Sequence, residues 1–128
     1  MMNTEKNNKK HLLIVEDDKS MVKIYEYMLS SERERYTYDI ACSAAEGEKL
    51  MEENEYDLII LDVIMDEVRG DEFFIRLRRV KGIDTPIIFV TVCDMQNQAY
   101  LGSINNYLVY KKPITKKGLL EKIGAMTK

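Results

Sequence analysis

Apolar and polar positions fall in blocks along the chain, and the blocks carry two different periods. Leu12-Leu13-Ile14-Val15, entered through His11, is an unbroken apolar run that stops at three acids, Glu16, Asp17 and Asp18. Unbroken runs of this length mark strands covered on both faces. Leu58-Ile59-Ile60-Leu61 repeats the form and stops abruptly at Asp62, and Ile87-Ile88-Phe89-Val90 repeats it again and stops at Thr91. Shorter runs over residues 36–41 and 107–110, the second ending in Lys111-Lys112-Pro113, complete five candidate strands. Thr85-Pro86 leads into the fourth, where a proline at the first position removes no interior ladder bond.

Between these runs the period becomes helical. Met21, Val22, Ile24, Tyr25, Met28 and Leu29 predict a helix over residues 19–31 with one face inward. Ser43 followed by Glu46 is a capping-box pattern. It opens a second helix reaching about residue 54, with Ala45, Leu50 and Met51 on the inner face. Gly70 opens a third, in which Phe73, Phe74, Leu77 and Val80 form the apolar stripe and Arg76, Arg78, Arg79 and Lys81 the outer face. Residues 95–102 give a short polar fourth helix and residues 115–126 a fifth, in which Gly118 and Gly124 lower the intrinsic propensity. Five strands alternating with five helices, with no repeat or linker between them, predict an α/β fold: a five-stranded parallel sheet, doubly wound, with helices on both faces.

Composition narrows this without changing it. A chain of 128 residues is one domain, 11–128, behind a polar tail, 1–10, expected to be disordered. No apolar run approaches the ~20 residues of a membrane helix, and the start MMNTEKNNKK lacks the apolar core of a secretion signal, so a cytoplasmic location is expected. A net charge of −3 argues against nucleic-acid binding through a basic field. Cys42 and Cys93 lack metal-ligand spacing and read as reduced thiols, and His11 stands alone, so no zinc site is expected.

The chemistry lies at the strand ends. In a parallel sheet all carboxyl ends share one edge, where ligands of open α/β sheets bind. That edge would gather Glu16, Asp17, Asp62, Thr91 and Lys112: three carboxylates, a hydroxyl and an ammonium. Acids crowded in this way repel one another and raise one another's pKa. A hard divalent cation such as Mg²⁺, which takes one or two carboxylates together with water and phosphate oxygens, relieves that repulsion. One carboxylate is then placed to attack phosphorus and form an acyl phosphate, with the hydroxyl and the ammonium as donors to the phosphoryl group.

Four motifs in this order and spacing, LLIVEDD, LDVIMDEVRGDEF, PIIFVT and KKP, give residues 12–126 a specific resemblance to the response-regulator receiver domain of two-component signalling. The resemblance implies a flavodoxin-like sheet in strand order 2-1-3-4-5. It implies that Asp62 is the phosphoacceptor and that Glu16, Asp17, Asp62 and the backbone carbonyl of Ile64 hold Mg²⁺. Thr91 would bind a phosphoryl oxygen and shift inward, Lys112 would pair with the phosphoryl group, and the Lys112-Pro113 bond would be cis. A receiver is a phosphoacceptor switch that assists its own phosphorylation and dephosphorylation, and no turnover enzyme. The partners implied are a histidine kinase or phosphotransfer protein upstream, and downstream either a protein or an output domain absent from this chain. Direct nucleic-acid and membrane contacts are not implied.

The chain departs from the family pattern at several points. Asp66 stands where a proline is usual, Arg69 where an acid or amide is usual, and Val92 where a small residue follows the switch threonine. The usual switch aromatic, three before the lysine, is Val109 for Lys112 or Leu108 for Lys111, with Tyr107 and Tyr110 to either side. These changes predict slower or more selective phosphorylation. They also leave an alternative, a degenerate receiver acting as a phosphorylation-independent interaction module. Other classes fit less well. An aspartate-nucleophile phosphatase wants a second acid two positions after the nucleophile, where Ile64 stands, and no GxxxxGK[ST] phosphate loop exists for a P-loop nucleotidase. No Ser/Thr-rich loop follows the first strand to hold a flavin phosphate.

Overall fold

A computed structural model describes residues 9–92 and 106–128. It contains five strands, β1 (Lys10–Val15), β2 (Tyr36–Ala41), β3 (Leu58–Leu61), β4 (Ile87–Thr91) and β5 (Tyr107–Lys111). Four helices alternate with them: α1 (Lys19–Leu29), α2 (Ala44–Glu53), α3 (Gly70–Arg79) and α4 (Lys116–Met126). The helix expected over 95–102 and Cys93 lie outside the described residues, as does the expected tail up to residue 8. Lys10, assigned to that tail, is instead the first residue of β1, with its N–H bonded to Arg35 O at 3.0 Å.

All four strand pairs are parallel, and the order is β2-β1-β3-β4-β5. The unbroken apolar runs are explained by two cores, one on each face. Leu12, Ile14, Leu58, Ile60, Ile88 and Val90 point to the side covered by α1 and α4. Leu13, Val15, Ile59, Leu61, Ile87 and Phe89 point to the side covered by α2 and α3, where Phe74 meets Phe89 edge-on at 5.3 Å. A strand buried on one side only would have shown alternation.

The helix starts follow from local chemistry. Asp18 caps α1 through Ser20 N–H at 2.9 Å, and Ser43 caps α2 through Glu46 N–H at 3.1 Å. Glu46 Oε1 in turn accepts Cys42 N–H at 2.6 Å, one residue further back than in the usual capping box. Three inner-face assignments are corrected. Ile24 and Val80 are exposed, Val80 because α3 has ended at its C-cap, and Ala45 is exposed while Gly47 takes the inward position on α2. A Cβ at Gly47 would lie 3.1 Å from Val15 Cγ2, so the close approach of α2 to β1 favours the smallest residue.

Candidate functional site

Register builds the site. β1 and β3 are neighbours with Val15 opposite Leu61, so Glu16 and Asp62 leave the sheet side by side. This is also the point where the strand order reverses, the crevice in which open α/β sheets bind ligands. β4 pairs Phe89 with Leu61 and runs two residues further, which brings Thr91, fully buried, to the same edge. β5 pairs Lys111 with Thr91.

That last pairing separates the two lysines. Lys111 is the final ladder residue and is exposed, whereas Lys112 leaves the strand with its N–H on Thr91 O at 2.8 Å. Its Nζ donates to Asp62 Oδ2 at 3.2 Å, and Asp62 Oδ1 accepts Ile64 N–H at 3.2 Å. Both oxygens of the Asp62 carboxylate, 7% exposed, are therefore held. The Lys112-Pro113 bond that follows is cis.

Glu16 is the deepest of the acids, 1% exposed. Its Oε2 accepts Asp18 N–H at 3.2 Å, and its Oε1 is buried with no hydrogen-bond partner among the described residues. Burial pushes the Glu16 carboxyl up to about 7, with the charges of Asp62 and then Asp17 adding, against the Asp18 N–H and Lys112, which favour the anion. Beneath them the phenol of Tyr25 is likewise pushed up, by burial first and then by Glu16 and Asp62. Asp17 lies at the rim, where its Oδ2 accepts the main-chain N–H of Asp66 at 2.8 Å.

The segment after Asp62 is closed by Gly70. Its N–H bonds Val63 O at 2.7 Å, and a Cβ there would fall 1.9 Å from Asp62 O, so only glycine lets α3 start this close to the strand end. Arg69 forms a two-pronged contact with Asp71, Nε to Oδ1 and Nη2 to Oδ2, both 3.1 Å. Buried Asp71 escaped the sequence reading because an acid in the first turn of a helix has an ordinary use there. Ile64 and Val92 are 51% and 61% exposed, and Val92 shares a cleft with Met21, Ile24, Lys112, Pro113 and Ile114.

The two tyrosines of β5 go to opposite faces. Tyr107 packs edge-on against Phe74 and Phe89 at 5.3 and 5.8 Å. Tyr110 lies under α4, its hydroxyl accepting Thr115 N–H at 3.0 Å and its ring carrying Lys122 Nζ at 4.2 Å. A Cβ at Gly118 would lie 2.2 Å from that hydroxyl, so the glycine that weakens the helix makes room for the ring.

No three acidic, His or Cys side chains form a ready-made metal cage among the described residues. The acids nevertheless suit a hard cation: Glu16 Oε1 is buried without a partner among the described residues, its carboxyl is crowded by two others, and the candidate ligand atoms are all oxygens. Mg²⁺ needs only one or two carboxylates because it keeps several waters. None of the described helices is long and apolar enough to cross a membrane.

Comparison with known proteins agrees with this fold. The response regulator receiver domain matches residues 12–124. The transcriptional regulatory protein GlrR of Escherichia coli (strain K12) is 31% identical over 114 residues, 88% of this chain and 25% of its own. The chain spans between a quarter and about half the length of the curated relatives it matches. Among solved structures, a receiver domain protein from Methanospirillum hungatei superposes with a TM-score of 0.77 at 26% identity, covering 91% of this chain and 92% of that one. Response regulator TrrA from Thermotoga maritima, solved in complex with Mg²⁺ and BeF, gives 0.72 at 27% identity, covering 91% of this chain and 98% of that one.

Proposed function

The chain belongs to the response-regulator receiver family of two-component signalling, and from that premise we propose that Asp62 is its phosphoacceptor, fed by a histidine kinase or phosphotransfer protein. The observation that carries the reading is the Lys112 Nζ–Asp62 Oδ2 contact at 3.2 Å beside the buried Glu16. It joins a nucleophilic carboxylate, a cation able to follow the transferred charge and an acid pair at one crevice.

A carboxylate oxygen of Asp62 attacks the phosphorus of an N-phosphorylated histidine. The new O–P bond forms as the P–N bond breaks, and the imidazole leaves with the electron pair and takes up a proton. Lys112 shifts its donor from the carboxylate to a phosphoryl oxygen, and Thr91 supplies its hydroxyl to another. Glu16, Asp17, Asp62 and the carbonyl of Ile64 would hold Mg²⁺, which supplies positive charge against the developing phosphoryl oxygens. The acyl phosphate biases a second arrangement of the surface around Thr91 and β5, and the altered surface is read by a downstream protein or by an output domain outside this chain.

The phosphorylation-independent alternative gains no support, since the acid pair, the nucleophile, the hydroxyl and the lysine converge on one edge. The test is stabilisation by a phosphoryl mimic. Mg²⁺ with beryllium fluoride raises the melting temperature of the wild type and leaves Asp62→Asn unchanged. Equal shifts in the two proteins would contradict the assignment.

A further inference from the structure

The Asp66 N–H bond to Asp17 Oδ2 has no counterpart in a chain that carries the family's usual proline at this position, because proline has no N–H to give. It spans from the segment after β3 back to the end of β1, and it is the only hydrogen bond made by the Asp17 carboxylate among the described residues. Asp17 stands next to Glu16 and Asp62, whose charges face one another across the crevice. A half-exposed carboxylate in that position is otherwise free to turn out towards water. A hydrogen bond to a charged acceptor is about twice as strong as a neutral one, and this bond opposes that rotation while leaving Oδ1 uncommitted.

We propose that the main-chain N–H of Asp66 is a positioning donor that holds Asp17 for the cation and ties cation binding to the order of the loop carrying Asp62. The inference rests on the cation site proposed above. With one oxygen already fixed, Asp17 loses less rotamer freedom when the other engages a cation. By linkage, a cation held through Asp17 stabilises in equal measure the loop conformation that supplies the N–H. The exposed Asp66 side chain plays no part in this.

The test is Mg²⁺ affinity, measured by calorimetry on the whole chain, for wild type, Asp66→Ala and Asp66→Pro. Both variants remove the carboxylate, but only proline removes the donor. Asp66→Pro binds Mg²⁺ about tenfold more weakly than Asp66→Ala, the scale of a hydrogen bond to a charged group. Equal affinities in the two variants overturn the positioning role and leave the cation site standing, whereas no binding by the wild type overturns both. Amide exchange supplies a second measurement that does not depend on the folding of the proline variant. The Asp66 amide is protected in wild type and exchanges about tenfold faster in Asp17→Ala, and equal exchange in the two overturns the inference.

Discussion

Lys111 and Lys112 are chemically identical neighbours, and only the ladder distinguishes them. Lys111 ends β5 opposite Thr91 and faces solvent, while Lys112 turns onto Asp62. Lys112→Ala leaves the Asp62 carboxylate beside Glu16 without its cation, and a buried acceptor stripped of a partner costs about 1–3 kcal/mol. Lys111→Ala stays within about 0.5 kcal/mol of wild type, as surface substitutions do. Urea denaturation of the two variants checks the ordering, and the opposite order would move the site lysine to Lys111. Glu16, Asp62 and Thr91 were legible because each closes an apolar run, and Asp17 follows at once, whereas the choice of Lys112 over Lys111 was not legible. The Asp66 N–H was not legible, because a main-chain donor leaves no mark in sequence beyond the proline that is absent. Arg69 was legible as an odd charge in the loop, but its pairing with Asp71 was not.

At the scale of elements, the strands were readable almost to the residue, since burial on both faces writes itself as continuous hydrophobicity. The helix faces were less so. Hydrophobic spacing assigned Ile24, Ala45 and Val80 inward, yet Gly47 is the residue α2 turns to Val15, and a glycine carries no hydrophobic signal. Gly70→Ala forces a Cβ onto the main-chain oxygen of Asp62 and destabilises the protein by about 3 kcal/mol in chemical denaturation. Glu48 on α2 accepts Arg76 Nε and Nη2 from α3, both at 2.9 Å, and Lys81 Nζ lies at 3.2 Å. Those contacts, Arg76 first, hold its carboxyl down at about 2. A folded pKa below the unfolded one gives stability that is complete above the unfolded value, near 4.5, and is lost as the pH falls towards about 2. The contact is partly screened, so Glu48→Gln costs at most about 1 kcal/mol at neutral pH. The gap between variant and wild type closes as the pH falls from about 5 towards about 2, and a gap constant with pH would contradict the ion pair.

For the molecule as a whole, alternation of period predicted the parallel doubly wound sheet, and parallel strands then dictate that all the chemistry shares one edge. The order β2-β1-β3-β4-β5 adds what alternation alone leaves open, because it makes β1 and β3 neighbours and so sets Glu16 against Asp62. The departures at Asp66, Arg69 and Val92 leave that edge intact and fall in the segments around it. Covalent chemistry at Asp62 is therefore the property on which the proposed function depends. The most direct measurement is the intact mass of the chain after incubation with Mg²⁺ and a small-molecule phosphodonor, wild type against Asp62→Asn. One phosphoryl group is added to the wild type and none to the variant. No addition to wild type, or equal addition to both, would contradict that function.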